Sequence, residues 1–237
     1  MLMSAAVART GGISIILMAV AAAITYGTIH GSLIVDGDAA ATISHLTASP
    51  LLFRAEILGW VLIIACDIIA AWALYTVLKP VDKGLSLLGA WLRLSYTAVL
   101  AVAVSCLVIV SLLTGSRGQE LSGFTSGEQQ AEVMLLLGAF EAVWSIGLIL
   151  FGGHLLIVGL LALRSRNMPK LLTFLLLLAA AGYAVVHLSR TLAPGGENVI
   201  RVVEWIFMLP MTAGELGLGL WLLFRVPAPR VPGKSAS

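Results

Sequence analysis

Six long apolar runs constrain this chain more than any other feature. They span Gly12–Ile34, Ala55–Leu78, Leu85–Leu113, Glu132–Leu163, Leu171–Ser189 and Arg201–Phe224, separated by short polar segments. About 20 apolar residues in a row suffice for a helix to cross a bilayer. In hydrocarbon every backbone N–H and C=O needs an internal partner, which leaves helices and closed barrels, and runs of this length without alternation exclude barrel strands. The expected fold class is therefore all-α, a single-domain integral membrane bundle of six transmembrane helices. Composition agrees: the 237 residues are 59% hydrophobic and 11% charged, too little polar surface to cover a water-soluble globule. The first run stays apolar beyond the roughly 7–15 residues of a signal-peptide core, so it is expected to remain as a helix.

Basic residues give the direction. If the N-terminus is inside, the inner segments carry Arg9, Lys79, Lys83, Arg164, Arg166, Lys170, Arg225, Arg230 and Lys234, nine in all, against four on the outer side: Arg54, Arg117, Arg190 and Arg201. The positive-inside rule then predicts both termini in the cytoplasm, with the chain in the cytoplasmic (inner) membrane and residues 225–237 as a tail stopped by Pro227, Pro229 and Pro232. A net charge of +2 leaves no basic footprint for nucleic acid. Cys66 and Cys106 both fall inside apolar runs and read as small core hydrophobes.

Ionisable side chains at bilayer depth are costly and require a partner, a cavity or a changed protonation state. Counted inward at about 1.5 Å per residue, Asp67 lies roughly 18 Å from Lys79, Arg93 about 15 Å from Lys83, His154 about 15 Å from Arg164 and Glu215 about 15 Å from Arg225. Four helices thus place four complementary groups in one layer, flanked by Ala70, Ala71, Gly89, Ala90, Gly152 and Gly153, small residues that let helices approach closely. Asp67 and Arg93 sit on consecutive antiparallel helices, where a carboxylate–guanidinium pair locks the hairpin in the simplest reading. The four together are also the catalytic candidates.

A second tier lies nearer the outer surface. Tyr26 and His30 share a face by four-residue spacing, as do Tyr183 and His187, with Arg190 one turn further. Glu204 and Glu215 are three turns apart with Met208 and Met211 on the same stripe, which could line an outward-opening cavity, while Pro210 is expected to kink that helix. For Glu204 by itself a headgroup-level position is the simpler expectation. Glu141 belongs to the outer tier and faces either protein or headgroups. Trp205 and Trp221 fit the interfacial belt, and no tryptophan is read as part of a substrate box. No lysine lies inside a run, which argues against a Schiff-base pigment, and there is no phosphate loop, CxxC or HExxH. A metal held by Asp67, His154 and Glu215 is opposed by the neighbouring Arg93, so no metal and no cofactor are predicted.

The stretch "SPLLFRAEILGWVLIIACDIIAAWALYTVLKPVDKGLSLLGAWLRL", with "IGLILFGGHLLIVGLLALRSRNMPKLL" and "GELGLGLWLL" further on, resembles the bacterial membrane family known as domain of unknown function 4386. The resemblance implies that Arg54, Asp67, Lys79, Pro80, Arg93, His154 and Glu215 stand at the family's characteristic positions. "WLRL" departs from its pattern where phenylalanine is expected before leucine-arginine, and Glu141 is atypical. It implies a fold and no activity.

Function is therefore left to the polar residues. The first reading is a structural or accessory membrane protein, or a binder of a small apolar ligand, in contact with the lipid bilayer and of unassigned oligomeric state. The alternatives are an intramembrane acid–base enzyme on a lipid or isoprenoid, with Glu215 or Asp67 as proton donor and His154 as base or orienter, and a proton-coupled transporter that relays protons through the same groups.

Overall fold

A computed structural model describes residues 2–115, 125–165, 167–192 and 197–224. Arg117, Arg166, Arg225, Arg230, Lys234 and the expected tail at 225–237 lie outside the described residues. Helix α1 (Leu2–Ala22) continues without a break into a π-helical stretch, Ala23–His30, and a last turn, Gly31–Leu33. A short helix α2 (Ala39–Ala48) follows, capped by the Asp38 carboxylate, which accepts from the Ala41 backbone N–H at 2.9 Å. Next come α3 (Pro50–Leu78), α4 (Lys83–Leu113), α5 (Ser126–Arg164), α6 (Lys170–Leu192) and α7 (Glu197–Phe224). Among the described residues, six helices are long and apolar enough to cross a membrane: α1 with its π-helical extension, and α3 to α7. The chain is thus a multi-pass, all-helical membrane protein.

The helix starts are chemically marked, and the helices run several residues beyond the apolar runs at these ends. Pro50 occupies the first turn of α3, where its missing N–H costs nothing. Asp82 caps α4 through the Leu85 N–H at 3.0 Å, and Thr125 with Glu128 forms a capping box at the start of α5.

Each spanning helix packs on the next in sequence, and α7 closes back onto α1. The result is a six-helix ring in chain order. Closure rests on a backbone contact, since a side chain at Gly12 would meet the Gly219 carbonyl at 2.6 Å and the Leu223 nitrogen at 2.7 Å. Without a hydrophobic force between helices in lipid, such close approach is what van der Waals association requires. Similarly, the π-helical stretch presses on α3 where Thr25 Oγ1 occupies the position a Gly59 Cβ would take. Large apolar side chains such as Leu135, Phe174, Ile206 and Leu209 stay exposed on the outside of the ring, as a lipid-facing surface demands.

The two ends differ. At the end carrying the tight turns, Arg164 pairs with Asp82 at 2.8 Å, Ser86 donates to the Tyr75 carbonyl at 3.1 Å, and the Trp221 indole donates to the Asn167 carbonyl at 3.2 Å. These contacts tie the turns together. At the opposite, loop end the ring encloses open space.

Candidate functional site

The ring interior contains two polar tiers. The deeper one is centred on Arg93, whose guanidinium is 2% exposed and reaches three other helices. Its Nη2 lies 2.6 Å from Asp67 Oδ1 on α3 and 3.5 Å from Met18 Sδ on α1. Its Nη1 lies 3.2 Å from His154 Nε2 on α5. His154 Nδ1 is 2.8 Å from the Gly89 carbonyl, which can only accept, so Nδ1 carries the hydrogen and Nε2 accepts from Arg93. That leaves His154 without a free lone pair for a metal. Among the described residues no three His, Cys, Asp or Glu side chains form a metal-binding group.

Glu215 does not touch Arg93 directly. It accepts a hydrogen bond from the Tyr183 hydroxyl of α6. Tyr183 stands edge-on to Phe151 at 5.1 Å, and Phe151 in turn lies under the Arg93 guanidinium at 5.3 Å. Thus the layer foreseen from helical depth resolves into an Asp67–Arg93–His154 contact group and a neighbouring Tyr183–Glu215 pair, bridged by an aromatic ring. Among the described residues, Asp67 Oδ2 and Arg93 Nε are buried with no hydrogen-bond partner.

The outer tier surrounds a cavity of about 450 Å³ between α1, α5, α6 and α7. Tyr26, Glu141, Trp144, His187, Arg190 and Glu204 are among its lining residues, with Trp205, Met208 and Met211. An adjoining cavity of about 660 Å³ shares Tyr26, Glu141 and Arg190 and extends to His30 and Asp36. Tyr183 lines the first cavity, so the Tyr183–Glu215 pair lies at its inner end.

Each of the outer candidates has a specific partner. His30 sits between two carboxylates, with Nδ1 2.6 Å from Glu56 and Nε2 3.5 Å from Glu141. Tyr26 stacks on His30 at 5.1 Å and meets Trp144 edge-on at 4.9 Å. His187 Nδ1 hydrogen-bonds with Ser145 at 2.9 Å, and Arg190 forms an ion pair with Glu204. Glu204 therefore has a protein partner. Glu141 faces protein. Trp144 and Trp205 line the cavity, whereas Trp72 and Trp91 point outward and are largely exposed.

Sequence reading passed over Glu56, which is fully buried and also accepts from the Trp60 indole at 3.4 Å. Its four-residue spacing to Trp60 was the available signal. The π-helical geometry of Ala23–His30 had no such signal, although segments of this kind frequently mark functional positions.

The family pattern described as domain of unknown function (DUF4386) matches residues 10–225. The chain belongs to this family. An uncharacterized protein of Archaeoglobus fulgidus is 32% identical to it over 170 residues, covering 72% of this chain and 83% of the relative. The DUF4386 pattern thus extends across all six spans and both polar tiers. No solved structure matches the chain.

Proposed function

We propose that this DUF4386 protein binds a small amphipathic molecule in the loop-end cavity, above a midplane tier whose role is structural. The observation that carries the reading is the composition of the cavity: Trp144, Trp205, Leu148, Met208 and Met211 supply apolar walls, and a few polar groups, Glu141, His187, Arg190 and Glu204, converge at one side. Small-molecule sites are concave, mostly apolar and fitted with a few oriented polar groups, in volumes of roughly 300–1,000 Å³. Methionine adds an adaptable surface suited to an irregular hydrocarbon. The nine-to-four bias in basic residues supports placing the closed, tight-turn end in the cytoplasm and the cavity mouth on the outer side of the cytoplasmic membrane.

The test is native mass spectrometry of protein extracted from its membrane with mild detergent, alongside Met208→Trp and Met211→Trp, which fill the cavity. Wild type should retain a small-molecule mass that both variants lose. Identical spectra for all three would overturn the reading.

The Tyr183–Glu215 hydrogen bond at the inner end of the cavity favours a second reading, acid–base chemistry on the bound molecule. In that case Glu215→Gln should hold a molecule of different mass from the one recovered on wild type. Under pure binding the two masses agree.

A further inference from the structure

The charge distribution around the cavity narrows the ligand class, on the premise that the cavity is a ligand site. Three carboxylates border the two adjoining spaces: Asp36, Glu141 and Glu204. The fully buried Glu56 stands behind them against His30. Among the described lining residues Arg190 is the sole lysine or arginine, and it is engaged by Glu204. With the carboxylates ionised, the surroundings stay net negative whether His30 and His187 are charged or neutral. Among the described lining residues an anionic headgroup would meet no unengaged guanidinium or ammonium.

Aromatic faces add to the same preference. Tyr26 and Trp144 meet at 4.9 Å beside Glu141, and both rings line the cavity. The negative face of an aromatic ring attracts a cation positioned over it, and the Glu141 carboxyl group, its side chain 33% exposed and 3.5 Å from His30 Nε2, stands at the same place.

We propose that the loop-end cavity selects an amphipathic organic cation, an ammonium or similar onium group on an apolar body, with Glu141 as counter-ion and Tyr26 and Trp144 as aromatic walls. The apolar body lies along Trp205, Met208 and Met211. The Arg190–Glu204 pair forms part of the rim and limits how negative the site becomes.

The experiment uses the full chain in phosphatidylcholine nanodiscs, with quenching of tryptophan fluorescence as readout and empty discs subtracted. The probes are tetraphenylphosphonium and the neutral triphenylphosphine oxide. The cation should bind saturably and about tenfold more tightly than the oxide, in keeping with a desolvated cation–π contact reinforced by a carboxylate. Glu141→Gln should erase that margin and leave oxide binding in place. Arg190→Gln, which frees the Glu204 carboxylate, should widen the margin, a gain that misfolding cannot imitate. If the oxide binds as tightly as the cation, or if neither substitution moves the margin, the cation inference fails while the cavity reading stands. If neither probe binds, both fail.

Discussion

The Asp67–Arg93 pair makes the sharpest energetic prediction. At 2.6 Å with both side chains almost fully buried, the attraction is about 6 kcal/mol for an effective dielectric near 20, opposed by the desolvation of two charges. Removing one partner loses the attraction and keeps the other group's desolvation, so Asp67→Ala and Arg93→Ala should each cost about 3–5 kcal/mol. The two are not equivalent. Without Asp67, Arg93 retains His154 at 3.2 Å and Met18 at 3.5 Å. Without Arg93, Asp67 has no hydrogen-bond partner among the described residues, so Arg93→Ala should be the worse variant. The double variant should be milder than the sum by about 3 kcal/mol, and Asp67→Leu with Arg93→Met, which refills the volume, should lie within about 1–2 kcal/mol of wild type or above it. Titration of detergent-solubilised protein with dodecyl sulfate, followed by tryptophan fluorescence, measures all four corners. Additive losses would show that the pair is not coupled, and the midplane tier would lose its structural role.

Further outcomes follow from the packing and the charge bias. Gly12→Ala places a methyl against backbone that cannot yield, at 2.6 Å from the Gly219 carbonyl, so it should cost about 1–3 kcal/mol in the same titration and loosen α1 from α7, read as slower disulfide trapping between cysteines placed across that seam. Gly59→Ala should be similarly costly and should be rescued in part by Thr25→Ala, because Thr25 Oγ1 is the atom it meets; a double variant no better than the single would exclude that contact as the cause. A phosphatase reporter fused after Ser237 should be inactive and a fluorescent one bright, as a cytoplasmic C-terminus requires; the reverse pattern would invert the orientation.

Much of this architecture was legible because a helix is a fixed ruler. Counting from the basic turns put Asp67, Arg93 and His154 at one depth, and the side chains of these three meet. Glu215 was placed at the same depth, but depth says nothing about azimuth, and it turned out to face Tyr183. Glu56 was missed because an acid near the start of an apolar run reads as a helix end, whereas α3 begins six residues earlier, at Pro50, and carries Glu56 into the buried tier. The closure of α7 on α1 through Gly12 and Gly219 joins residues from opposite ends of the chain, which no local pattern encodes. Nor did spacing reveal the π-helical stretch, which carries both Tyr26 and His30 into the outer tier.

The central claim, a cavity entered from the loop end and closed below, is tested most directly by cysteine accessibility in membranes. With Cys66 and Cys106 replaced by alanine, Met211→Cys inside the cavity should react with a membrane-impermeant cationic thiosulfonate, and Trp introduced at Met208 should protect it. Thr97→Cys, buried beside Arg93 at the midplane, should stay unreactive. Labelling confined to Met211→Cys and blocked by Met208→Trp is the result the account predicts; an unreactive Met211→Cys, or equal labelling at both depths, would contradict it.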